Sequence, residues 1–172
     1  MLLWIVTRVA LAHGLSGGTE RHVELLATGL SARGHRVTVL TTAHPDGRTT
    51  DRIGGVDLVY VPGTTWRRDE PQWWAETYER LRVAHTEAPV DAVVSVSAGA
   101  LGWLARARAE LGIPTVVLLP RSLRGELRRA WRGARTLSGW YRLARTTRST
   151  VPLLARSAHV ARHHRKTGGR RL

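Results

Sequence analysis

Apolar residues along this chain follow two rhythms. Short runs rich in Val, Leu and Ile stand at Leu2–Val6, Arg36–Thr42, Val56–Val61, Ala92–Val96 and Thr115–Leu119, closely bounded by Gly, Pro, Asp or Thr. That pattern predicts strands. Because the runs are nearly continuous rather than alternating, these strands are expected to be covered on both faces, as in a parallel sheet between helix layers. Elsewhere the period lengthens. Val23, Leu26, Ala27 and Leu30 recur at helical spacing and predict a helix from about Thr19 to Arg33, with Gly34 as its stop. Trp73–His85 and Leu101–Leu111 predict further helices, the latter ended by Gly112–Pro114. The fold class implied is α/β, a Rossmann-like parallel sheet with helices on both faces.

With 172 residues the chain has the size of one domain. The alternation holds to about residue 155. From His159 the text "HVARHHRKTGGRRL" loses apolar periodicity and gains charge, so residues 156–172 are expected to form a basic, disordered tail. No apolar run approaches the roughly 18 residues that a membrane span needs. The opening stretch lacks a cationic start and is interrupted by Arg8 and His13, which argues for a buried first strand over a signal peptide. Cysteine is absent. Disulfides, thiolate nucleophiles and Cys-based zinc sites are thereby excluded, in keeping with a reducing compartment.

Charge is divided unequally. Residues 1–99 carry 10 arginines against 11 acids, whereas residues 100–172 carry 16 arginines and Lys166 against only Glu110 and Glu126, so the whole net charge of +14 resides in the second part. An anionic partner for one side of the molecule follows, be it lipid head groups, nucleotide phosphates or nucleic acid.

Candidate chemistry begins after the first strand, in "LSGGTERHVELLATGL". A helix start presents the positive end of its dipole, and glycines leading into it let phosphate oxygens come close without a Cβ in the way. Gly17, Gly18, Thr19 and Glu20 have that arrangement, although two glycines there also suit a plain turn. A dinucleotide site is excluded by the missing G-x-G-x-x-G spacing and by a second strand that ends in "LTTAH" without a ribose-binding acid. No Gly-Lys-Ser/Thr occurs, so no Walker loop is present.

The block "GGTERHVELLATGLSARGHRVTVLTT", followed by "GGVDLVYVPG" at Gly54–Gly63, "VDAVVSVSAGALG" at Val90–Gly102 and "SLRGE" at Ser122–Glu126, resembles the N-terminal domain of family 4 retaining glycosyltransferases of GT-B type. The resemblance covers most of Met1 to about Ala144. It implies one half of a GT-B fold, with residues 1–155 as the acceptor-side domain and no second, donor-binding domain in the chain. By the same resemblance, Gly17, Gly18, Thr19 and Glu20 lie at the donor or acceptor phosphates; His13, Ser97, Arg121 and Ser122 are the candidates for the acceptor cleft, with a loop histidine bonded only to backbone as the plainer alternative for His13. A nucleotide-sugar donor and a glycan or lipid-linked acceptor are the implied partners, with no cofactor, no metal and no catalytic residue assigned. Departures are clear. Where such proteins commonly carry a His-Gly after the fifth strand, this chain has Pro120 and Arg121, and histidines often found after the fourth strand are replaced by Ser95, Val96 and Ser97. Glu79 and Glu87 reproduce the seven-residue gap of the family's paired nucleotide-site glutamates, but in the wrong half of the enzyme and beside Arg80 and Arg82.

One wall of a cleft cannot both neutralise a diphosphate leaving group and hold the acceptor oxygen at the anomeric carbon, so the chain alone is expected to lack turnover. The alternative is a noncatalytic remnant or a basic membrane-surface module. In "RGELRRAWRGARTLSGWYRLARTTR" apolar positions keep helical spacing while Arg124, Arg128 and Arg132 fall mostly on other faces. Together with Trp131, Trp140 and Tyr141 these form a candidate membrane contact, which would make a cytoplasmic protein peripheral to the inner membrane face. The plainer alternative is a helix that packs Trp131 and Leu137 on the sheet and solvates its arginines. Nucleic acid is the weakest candidate, since no reading module is recognisable. Trp66, Trp73 and Trp74 suit either sugar stacking or a core edge, and His163 and His164 are too poorly framed for a metal.

Overall fold

The computed structural model describes residues 1–14, 17–65, 71–96, 100–119 and 153–155. It contains two compact units, Met1–Val94 and Ser95–Leu172. The first holds β1 (Leu2–Val6), α1 (Gly18–Ser31), β2 (Arg36–Thr42), β3 (Thr50–Ile53), β4 (Val56–Val61), α2 (Pro71–Glu87) and the start of β5 (Ala92–Ser95). A short 3-10 turn, Leu11–His13, interrupts the loop after β1.

Strand order in this unit is β3-β4-β2-β1-β5. β1 pairs parallel with β2, Leu3 opposite Val37 and Ile5 opposite Val39; β2 pairs parallel with β4, Val39 opposite Leu58. Every residue of β2 from Val37 to Thr42 is buried, so this strand is covered on both faces, as its near-continuous apolar run requires. Burying a Leu or Val side chain is worth about 1.5–3 kcal/mol, against roughly 1 kcal/mol for the whole span of strand propensities. Burial of Ile5, Val6, Leu40 and Val61 therefore sets the register. Crossover handedness does the rest: the chain moves one way from β1 to β2 and the other way from β4 to β5, so right-handed connections put α1 and α2 on opposite faces.

The helices end where expected. At the close of α1 the Gly34 amide donates to the Ser31 carbonyl and the His35 amide to the Leu30 carbonyl, with Gly34 at φ +83°. This paired closure is a Schellman stop, open at low cost only to glycine. Pro71 opens α2, where its fixed φ suits the first turn, and Trp73, Thr77, Tyr78 and Leu81 form the buried stripe.

β3 has no counterpart among the expected strands. It pairs antiparallel with β4, Ile53 opposite Val56, through the two-residue turn Gly54-Gly55. Both glycines have positive φ, +56° and +78°, the requirement of the hairpin turn whose twist matches the strands.

The second unit contains α3 (Leu101–Leu111), β6 (Thr115–Leu119) and β7 (Leu153–Ala155). α3 buries Trp103, Leu104 and Ala107 and closes at Gly112, φ +69°. β6 pairs parallel with β7, Val117 opposite Leu153. Residues 156–172, the expected tail, lie outside the described residues. Among the described residues no helix is long and apolar enough to cross a membrane, and no group of three metal-ligating side chains occurs.

Candidate functional site

Strand order reverses between β1 and β5, and open parallel sheets take ligands at the carboxyl ends of the strands beside such a reversal. The loop that leaves β1 here leads to α1. Gly17 caps the helix in an extended conformation, φ −137° and ψ 169°, without a side-chain cap, and its carbonyl accepts the Arg21 amide at 3.1 Å. Gly17 and Gly18 are both exposed, and Thr19 and Glu20 half-buried.

Neither glycine is demanded by backbone conformation. Among the described residues seven glycines have positive φ, Gly34, Gly54 and Gly55 included, but Gly17 and Gly18 do not. The space around the two differs. A Cβ on Gly18 would meet nothing, whereas one on Gly17 would collide with the Glu20 carboxylate. Glu20 thus folds back over the helix start, where a negative charge is favoured by the dipole and by the capping-box arrangement.

Polar groups knit the strand ends beneath this rim. The Thr7 amide donates to the Leu40 carbonyl at 3.0 Å, and the Thr42 hydroxyl to the Arg8 carbonyl at 2.6 Å. Thr64 donates its hydroxyl to the Val61 carbonyl at 2.6 Å and accepts the Ala43 amide at 3.2 Å.

Two imidazoles complete the knot. His13, 8% exposed, sets Nε2 3.1 Å from the Thr42 carbonyl and Nδ1 3.2 Å from both the amide and the carbonyl of Ala10. His44 donates through Nε2 to the Ala12 carbonyl at 2.8 Å and receives the Asp46 amide at Nδ1, 3.1 Å. Their ring centroids are 5.8 Å apart, and each meets Tyr60 edge-on, at 5.8 and 5.0 Å. Burial pushes the Tyr60 phenol above its ordinary pKa, and nearby Asp51 adds to the shift. The phenol oxygen and the Thr41 hydroxyl, on neighbouring strands in register, are buried without a hydrogen-bond partner.

A cavity of about 50 Å³ opens between α1 and β4, lined by Ala10, Ala12, Glu20, Val23, Ala27 and Leu58 among others. Pockets that engulf small ligands run to roughly 300–1,000 Å³, so this space is water-sized. Outside it, Arg48 bridges Asp46 and Asp51 at 3.0 Å each. The Arg52 amide and Arg48 hold the Asp51 carboxyl below the ordinary range.

Of the residues singled out in the sequence, Gly17, Gly18, Thr19 and Glu20 stand together at the start of α1, and His13 lies below them with both ring nitrogens on backbone groups. Ser97, Arg121 and Ser122 lie outside the described residues. So do Arg124, Arg128, Trp131, Arg132, Trp140 and Tyr141. Trp73 is buried and packs at 4.3 Å, edge to face, on Trp74. Glu79 and Glu87 are exposed, and Glu79 pairs with Arg82 at 2.8 Å, a solvated helix face. His44 and Tyr60 are the residues that sequence reasoning passed over. Their signal is faint: a histidine two residues beyond the buried strand end "LTT", and a tyrosine inside the apolar run "VDLVYV".

Residues 16–171 match Glycosyltransferase Family 4, a span that extends beyond Ala144, the end of the resemblance read from the sequence. No curated protein matches the chain. Sucrose-phosphate synthase from Thermosynechococcus elongatus has a similar structure, with a TM-score of 0.75 at 10% identity over 98% of this chain and 45% of that one. WaaG, a glycosyltransferase involved in lipopolysaccharide biosynthesis, gives 0.58 at 17% identity over 95% of this chain and 41% of that one. At these identities the likeness is one of fold. The chain spans less than half the length of either structure.

Proposed function

The chain belongs to Glycosyltransferase Family 4, and from that premise we propose that it supplies the acceptor-side half of a GT-B enzyme. The reaction is transfer of a sugar, with retention of anomeric configuration, from a nucleotide-sugar donor to a glycan or lipid-linked acceptor. Gly17, Gly18 and Thr19 form the rim facing the donor diphosphate, with the α1 dipole favouring the charge that develops on the leaving group. Glu20 occupies the same space in the free protein and moves aside when a phosphate enters. His13 holds the loop below the rim, and Ser97, Arg121 and Ser122 belong to the acceptor side of the cleft.

The single observation that carries this reading is a pair of exposed glycines, neither in a left-handed conformation, at the start of a helix beside the strand-order reversal. A glycine that no left-handed conformation requires still leaves the backbone open to close approach by a ligand. The test is a titration of the full chain with inorganic pyrophosphate, followed through the backbone amide resonances of Gly17 and Gly18. Saturable shifts at both support the assignment; resonances that stay put to millimolar pyrophosphate sink it.

Turnover requires a facing wall that positions the donor, so the purified 172-residue chain is expected to release no sugar from any nucleotide-sugar. Measurable transfer by it would refute that part. The net positive charge of residues 100–172 supports docking at the cytoplasmic membrane surface through Arg124, Arg128, Trp131, Arg132, Trp140 and Tyr141. Co-sedimentation with anionic but not neutral vesicles is the outcome this requires.

A further inference from the structure

The glycine rim stands at the end of a loop whose later part is held by His44. This histidine lies two residues past β2, its side chain 7% exposed. A carbonyl can only accept and an amide can only donate. The contact with the Ala12 carbonyl therefore places the proton on Nε2, and the contact with the Asp46 amide leaves Nδ1 bare. Both nitrogens are committed, and the ring is wedged edge-on against Tyr60, itself 1% exposed.

The other stitches act elsewhere on the loop. Thr42 holds it at Arg8, its root, and His13 ties its own 3-10 turn to β2 through the Thr42 carbonyl. His44 alone among the described side-chain hydrogen bonds takes Ala12, whose 3-10 turn packs against α1 and which lines the same small cavity as Glu20 and Val23. Because that turn packs on α1, a shift of Ala12 is felt by the helix whose start carries Gly17 and Gly18. Groups that meet a ligand work only when the layer behind them is fixed.

We propose that His44 is a positioning residue for the sugar-nucleotide site: through Ala12 it sets the height of the loop and hence the presentation of the Gly17-Gly18 rim. This rests on the reading of that rim as a diphosphate contact. The role belongs to the Nε2–H donor, not to the bulk of the ring.

The experiment uses the full chain with His44→Phe, which keeps an aromatic ring beside Tyr60 but has no donor, and His44→Gln, whose terminal amide reaches the place of Nε2. In the absence of ligand, His44→Phe is expected to displace the Gly17 and Gly18 amide resonances, and pyrophosphate affinity is expected to fall about tenfold, the scale of one lost hydrogen bond. His44→Gln restores both to within about twofold. A His44→Phe protein with a lowered Tm but unaltered glycine resonances and wild-type affinity makes His44 structural only and overturns the proposal. Affinity lost equally in His44→Gln overturns it as well, because the donor would then be irrelevant. A wild-type chain that binds no pyrophosphate instead overturns the reading of the rim, and the positioning role with it.

Discussion

The two ends of α1 are both marked by glycine, for opposite reasons. At the C-terminal end Gly34 sits at φ +83° and closes a Schellman stop, and nearby Gly55, at φ +78°, would bring a Cβ within 2.8 Å of the Ser31 hydroxyl. Those glycines serve the fold. At the N-terminal end Gly17 is extended and Gly18 has open space where a side chain would be. Folding asks nothing of this pair that alanine could not give at Gly18. Two glycine-marked ends of one helix thus separate a glycine that the backbone requires from a pair that it does not, a distinction invisible in the letters themselves.

Substitutions sharpen the contrast. Gly55→Val combines left-handed strain with a collision and is expected to cost about 3 kcal/mol in urea denaturation while leaving the Gly17 and Gly18 resonances in place. Gly18→Ala is expected to do the reverse, adding about 0.5 kcal/mol of stability through helix propensity and weakening pyrophosphate binding about tenfold as the methyl enters the anion's space. If Gly18→Ala binds as tightly as wild type, the contrast breaks. Glu20→Ala is the informative third case. It removes a favourable charge from the helix start, lowering stability by about 0.5 kcal/mol, yet raises pyrophosphate affinity severalfold because no carboxylate competes. The smallest effect concerns Asp51, whose carboxyl titrates below its ordinary value because of the Arg52 amide and Arg48. A depressed folded value contributes stability above the ordinary carboxylate pKa that is lost as pH falls through the folded one. Asp51→Asn should lower Tm at neutral pH only slightly and flatten, by that same small amount, its decline as pH falls below about 4.

Much of the scaffold was legible because burial leaves a simple trace. Leu2–Val6, Arg36–Thr42, Val56–Val61 and Thr115–Leu119 are strands at the boundaries their apolar runs mark, and Leu101–Leu111 is a helix between its own. β3 escaped for a physical reason. "TDRI" is mostly exposed, forms no alternating stripe, and exists because the Gly54-Gly55 turn folds it onto β4. At the site, the open glycine pair was visible as a pattern, but whether it formed a tight turn depended on φ angles that no letter encodes. His44 was harder still. Its partners are backbone atoms of Ala12 and Asp46, and a backbone partner leaves no mark on the sequence.

β3 also shapes what one edge of the sheet offers to other chains. It closes one border of the sheet with four residues only, and Arg52, 73% exposed, pairs across the hairpin with Asp57 at 3.4 Å. So short and charged a margin offers another polypeptide few groups on which to extend the ladder. The lateral growth that turns open sheets into fibrils is thereby discouraged at this border by an arginine and an aspartate.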